Sequence, residues 1–135
     1  MATFTKFQPF VEALAEKKHN LGSDQLVVAL TNTVPVNTNS VLTDITQISY
    51  TNLSSRNVTT SSSAQTSGTY KLTLADLVLT ASGAVATFRY VVLYNDTATN
   101  DDLIGYYDYG SSLTMASGET FTVDFDASTG ALTIA

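Results

Sequence analysis

One histidine, His19, and no cysteine are present in this chain. Imidazole chemistry therefore has a single candidate, and thiol catalysis, thiolate zinc sites and disulfide frameworks are excluded. His19 follows Lys17 and Lys18, where it reads as one more cation at the end of a helix. A Ser–His–carboxylate relay is compatible with composition, but no G-x-S-x-G nucleophile elbow accompanies the histidine. One histidine also cannot make a His-rich metal site. Among the carboxylates, Asp124 and Asp126 are two apart and share one face of a strand, opposite Phe121, Val123 and Phe125. A carboxylate-pair glycosidase needs two acids on one cleft, but this pattern is that of the solvated side of an amphipathic strand. Asn95, Asp96, Asn100, Asp101 and Asp102 offer oxygen ligands for calcium. The EF-hand glycine and closing Glu are missing, and Asn and Asp at such density suit a turn. Tyr106, Tyr107 and Tyr109 put rings on both faces of one strand, and rings with a polar tip favour a protein partner or a sugar. Leu103 shares the face of Tyr107 and draws it to the core, which leaves Tyr106 and Tyr109 as contact candidates. No P-loop or dinucleotide glycine pattern is present, and no cofactor is expected.

The charge distribution narrows the partners. From Tyr90 to Ala135 there is no Lys or Arg but seven acids, and the whole chain carries a net charge of −6. Nucleic acid and anionic membrane both require a cationic footprint and are not expected partners. The N-terminus lacks a basic start followed by an unbroken apolar run, and no segment approaches the ~20 apolar residues of a membrane span. The chain reads as a soluble protein made in a cytoplasm. Its 135 residues make one domain, able to bury roughly two thirds of its unfolded surface without staples.

The elements that must position these residues follow from periodicity. Phe4, Phe7, Phe10, Val11, Leu14 and Leu21 recur at helical spacings, so residues 9–21 are expected to form a helix. Pro9 suits its first turn, and Gly22 the left-handed closing position. QLVVALT at 25–31 is apolar on both faces, as in a central strand. Residues 31–40 are a polar loop without catalytic spacing, and 41–48 fits a short helix or a strand equally. Residues 51–69, rich in Ser and Thr and containing Arg56, read as a long flexible loop or a solvated edge strand, the most exposed arm of the chain. Strands then recur at YKLTL, LVLTA, ATFRYVVLY (86–94), LIGYYDY (103–109), FTVDF and LTI, with turns at 95–102, Gly110–Ser112, Ser117-Gly118 and Ser128–Gly130. This spacing predicts a mainly β fold, an antiparallel β-sandwich or jelly-roll-like domain at 23–135 preceded by an N-terminal segment and helix at 1–22.

HNLGSDQLVVALTNTVP at 19–35, FRYVVLYNDTATNDDLIGYYDYGSS at 88–112, GETFTVDFD at 118–126 and the closing GALTIA resemble small virion structural proteins of tailed bacteriophages. Within that group the chain is most similar to capsid decoration or cement proteins. The resemblance implies a non-enzymatic virion component that binds the major capsid protein, itself as a homodimer or homotrimer, or both. Contacts are then expected from the N-terminal segment 1–10 with Phe4 and Phe7, from Arg56 in the polar arm, and from Tyr106 and Tyr109. Three other readings remain open: a tail, baseplate or adaptor subunit; a carbohydrate-binding module for host glycans using Tyr106 and Tyr109; and a small glycan hydrolase using His19 and Asp124.

Overall fold

The computed structural model describes residues 2–135; Met1, the first residue of the segment expected to reach a partner, lies outside them. In chain order the elements are β1 (Phe4–Lys6), α1 (Gln8–Ala15), β2 (Leu26–Thr31), a 3-10 turn (Leu42–Asp44), β3 (Asn57–Val58), β4 (Thr60–Thr66), β5 (Thr69–Leu74), β6 (Leu77–Thr80), β7 (Val85–Asn95), β8 (Leu103–Met115), β9 (Thr120–Val123) and β10 (Leu132–Ile134). All strand pairs among the described residues are antiparallel. They form a five-stranded sheet ordered β1-β8-β7-β2-β3, a three-stranded sheet β10-β5-β4, and a two-stranded ribbon β6-β9. The mainly β, sandwich-like architecture with one helix near the N-terminus is the one the strand spacing predicts.

The apolar runs explain the layering. β2 is buried along its whole length because β7 and β3 flank it and both its faces are covered. Leu26, Val28 and Leu30 point into the main core with Leu72, Leu74, Leu79 and Val123 from the smaller sheets and Phe125 just beyond β9. Val27 and Ala29, on the opposite face, join Val92, Tyr94, Leu103, Ile45 and Phe7 in a second core. The five-stranded sheet is thus a middle layer. Each fully buried Leu, Val or Phe contributes about 1.5–3 kcal/mol, so two-sided burial is what fixes β2 and β7 in register.

Four expectations are corrected. The helix ends at Ala15 rather than residue 21, because Lys18 N–H bonds Ala13 O (2.9 Å) and Lys17 N–H bonds Leu14 O (3.2 Å), a Schellman closure. Lys17, with φ +67°, and not Gly22, takes the left-handed position. Gly110–Ser112 is no turn: β8 runs through it, and Tyr109 to Ser112 bulge opposite Arg89 alone, with Gly110 at φ +84°. Asp124 and Asp126 lie beyond β9, and Asp126 turns the chain at φ +50°. Of the two readings of 51–69, each holds for a part: 51–56 stay a loop, and from Asn57 the edge strand forms, as β3, β4 and the turn into β5; the 41–48 segment holds the 3-10 turn and an isolated bridge from Val41 to Asp102. Among the described residues no helix is long and apolar enough to cross a membrane.

Candidate functional site

Of the five contact candidates, three serve the fold. Phe7 is fully buried, its ring 5.2 Å from that of Tyr106. Phe4 pairs with Tyr107 across β1 and β8, their ring centroids 5.2 Å apart, and its ring lies where a Cβ on Gly105 would stand. Phe7 has no exposed surface to offer a partner, whereas Phe4 is only partly buried and keeps part of its ring at the surface. Arg56 sits 3.7 Å over the Tyr50 ring and donates from Nη1 to Val28 O at 2.7 Å, clamping β3 to β2. Such a stacked, hydrogen-bonded guanidinium is committed internally. Tyr107 is buried as expected, but not for the reason expected: it packs in the main core with Ile104, whereas Leu103 faces the second core, because an irregularity in the β7–β8 register near Leu103 breaks the alternation.

Tyr106 and Tyr109 are half-buried and lie at two different places. The Tyr106 hydroxyl donates to Asn37 Oδ1 (3.3 Å), so its ring stands on Phe7 and its tip braces the loop 32–40. That loop is tied down along its length. Thr33 N–H bonds Thr31 Oγ1 (3.0 Å), Val36 N–H bonds Asn39 Oδ1 (2.8 Å), Gln8 N–H bonds Asn37 O (2.9 Å) and Leu103 N–H bonds Ser40 O (3.0 Å). Pro35 is buried, and the valines on either side of it point outward, Val34 61% and Val36 56% exposed. A loop held this firmly loses little entropy on binding. Reading 31–40 as a polar loop misses this apolar tip. Its signal was the Val-Pro-Val run itself, since proline restricts the residue before it to extended backbone.

Tyr109 lines a cleft of about 460 Å³ with Ala2, Asp108, Gly110 and Asp124. Burial, and then the charge of Asp124, push its phenol up to about 12. Its ring meets Phe121 edge-on at 5.0 Å. Asp108 is gripped in two places by Arg89, at 2.8 and 3.1 Å, which holds its carboxyl below the usual carboxylate range. Asp124 Oδ1 accepts from Asp126 N–H (2.8 Å). Two carboxylates, one braced by an arginine, beside an aromatic ring suit hydroxyl recognition; Asp124 and Asp126 do not face each other across a cleft as an acid–nucleophile pair would.

His19 is 5% exposed and is not the helix-end cation expected of it. Burial lowers its pKa, against the opposing pull of Asp102 and Asp24, so the ring is neutral at pH 7. Its tautomer follows from Asn95. Asn95 Oδ1 accepts from Thr97 N–H (3.0 Å) and Ala98 N–H (3.2 Å), so Nδ2 must be the atom that donates to Asp24 Oδ2 (2.7 Å) and His19 Nδ1 (3.0 Å). His19 therefore carries its proton on Nε2, which is buried without a partner among the described residues. The surrounding 95–102 segment is a hydrogen-bonded turn. Asp24 and Asp102 share a polar cleft of about 620 Å³ with Lys17 and Lys18, whose ammonium groups oppose cation binding there. Among the described residues no cluster of three or more His, Asp or Glu is placed to hold a metal ion. No family model, curated protein or solved structure matches this chain.

Proposed function

We propose that this chain is a non-enzymatic virion structural protein of a tailed phage, a capsid decoration protein that binds the outer shell and stabilises the mature head. The observation that carries the reading is the braced 32–40 loop, which presents Val34 and Val36 to solvent from a buried proline. Two preorganised apolar side chains are an anchor for a shallow pocket on the major capsid protein. The resemblance at 19–35, which includes half of this loop, and at 88–112 supports the same assignment. The role is thermodynamic: a protein that binds only the mature shell stabilises it by mass action, and many copies multiply a modest contact.

The test is the copy number of the chain per purified particle, by quantitative mass spectrometry against the most abundant shell protein. Abundance near that of the shell protein is the expected result. A few copies to a few dozen would move the chain to the tail, baseplate or an adaptor, and absence would sink the virion reading. Burial of two valines contributes about 2–3 kcal/mol, so Val34→Ser with Val36→Ser weakens shell binding about 30- to 150-fold without unfolding the chain. A second reading rests on the Tyr109 cleft, where an aromatic ring beside Asp108 and Asp124 suits a host glycan. Glycan binding lost on Tyr109→Ala but retained in the valine double variant would favour it.

A further inference from the structure

We propose that the outer edge of β4 joins two copies of this chain in a symmetric dimer, extending the sheet β10-β5-β4 across a two-fold axis into a six-stranded sheet. β4 is the last strand of its sheet, so one side of its backbone pairs with β5 and the other is open. The turn that follows fixes which groups are free. Ser67 and Gly68, at φ +52° and +85°, form a two-residue turn of the I′ kind that closes on the Thr66–Thr69 pair. Hydrogen-bonded and non-hydrogen-bonded pairs alternate along an antiparallel ladder. Thr66 and Ala64 therefore bond β5, while the N–H and C=O groups of Ser63 and Gln65 face outward.

Natural sheet edges are blunted by lysine, proline, inward charge, bulges or a covering loop. The run Ser62–Thr66 carries no charge and no proline, is mostly exposed, and is irregular only at its far end, between Thr60 and Ser62. The occupant that fits is a second copy. Residues 45–75 hold none of the twelve acids and only Arg56 and Lys71 as charges, which leaves −8 on the rest of a chain whose total is −6. Two like-charged copies repel least where the strand that joins them carries no acid of its own, as β4 does not, and the acid that approaches it, Asp24, lies only at its start, in a cleft with Thr59 and Thr60. Its two cations are already engaged, Arg56 over Tyr50 and Lys71 through Nζ with Ser128 O at 3.3 Å, so the edge does not select an acidic partner. It presents no large apolar side chain either. What remains is backbone and short polar groups, and these are self-complementary: a two-fold axis through Ala64 sets that residue against its own counterpart and Ser63 against the counterpart of Gln65, within the regular run.

One strand edge buries less than the ~1,200 Å² of a standard interface, so the dimer is weak and concentration-dependent. It requires nothing of the virion assignment. The test is sedimentation equilibrium of the full chain from about 10 µM to 1 mM, the range of weak association, with amide hydrogen exchange at both ends. The expected result is a monomer that becomes a dimer, with the Ser63 and Gln65 amides slowed only at high concentration and those of Ala64 and Thr66 slow throughout. Ala64→Lys, a change on the exposed face, should weaken the dimer about tenfold or more by placing like charges beside the axis. Gln65→Pro, which deletes an outward N–H and leaves the β5 bonds of Ala64 and Thr66 in place while removing the Gln65 Oε1 acceptor of Gly68 N–H in the turn, should act alike. A monomer at every concentration, a dimer indifferent to both variants, or one broken instead by Val34→Ser overturns the proposal.

Discussion

Asn95→Asp is the sharpest perturbation this fold offers. Asn95 is fully buried and uses its whole amide, accepting from Thr97 and Ala98 N–H and donating to Asp24 and His19. Aspartate keeps the two accepted bonds and inverts both donated ones. An anionic oxygen then lies near Asp24 Oδ2, where the wild-type separation is 2.7 Å, and near the His19 Nδ1 lone pair at 3.0 Å. Two unit charges at 2.7 Å repel by about 6 kcal/mol at an effective dielectric of 20. Asp24 is only partly buried, so roughly half of that survives, and the lost histidine bond adds about 1 kcal/mol. The expected destabilisation at pH 7.5 is about 3–5 kcal/mol. The pH dependence changes sign as well. In the wild type, burial depresses the folded pKa of His19 below its ordinary 6.5. Its contribution is present above pH 6.5 and is lost as pH falls through the folded pKa. In the variant the imidazolium donates Nδ1–H to the new carboxylate, raising the folded pKa. That contribution is full below pH 6.5 and is lost as pH rises through the raised value. Urea unfolding between pH 7.5 and 6 should show the wild type losing stability on acidification and Asn95→Asp gaining it. Because the chain has one histidine, its proton resonance reports the two pKa values without assignment. Equal slopes for the two proteins, or an unmoved histidine pKa, would refute the tautomer and the donor assignment together.

Two further changes test the packing argument. Phe7→Ala empties a fully buried site in the second core and should cost about 3–5 kcal/mol in chemical unfolding; a loss under about 1 kcal/mol would mean that β1 docks only loosely on β8. Lys17→Gly relieves a left-handed side-chain residue at the helix closure and should raise stability by about 0.5–1 kcal/mol, with a loss pointing instead to a packing role for the lysine stem.

Strand existence was legible in the sequence because period carries it. QLVVALT and ATFRYVVLY are apolar on both faces, and β2 and β7 occupy the buried middle of the five-stranded sheet with each face in a different core. Local signals failed where a bond to a distant residue outweighed them. The stripe that continued to Leu21 is real as burial, since Phe10 and Leu21 both reach the main core, yet the helix stops early because Lys17 and Lys18 N–H groups close on Leu14 and Ala13. Gly110-Ser111-Ser112 has turn composition, but register with β7 on both sides holds it in β8 as a bulge. A turn signal and a bulge signal are the same residues; only the partner strand distinguishes them.

The candidate site was less legible for a related reason. Aromatics near acids mark a contact surface only if their faces are free, and faces are set by strands far away in sequence. Phe7 and Tyr106 read as separate contact residues, whereas the fold stacks one on the other and spends the Tyr106 hydroxyl on Asn37, 69 residues away. His19 shows the same effect more sharply. Its neighbours Lys17 and Lys18 suggest a cation at a helix end, while its protonation is governed by burial and by Asn95, 76 residues downstream. What the sequence did display was the distribution of charge, which needs no partner to be read. The acid-free stretch 45–75 and the base-free stretch 90–135 are complete in the sequence itself, because a net charge is summed over residues and does not depend on which strand lies beside which.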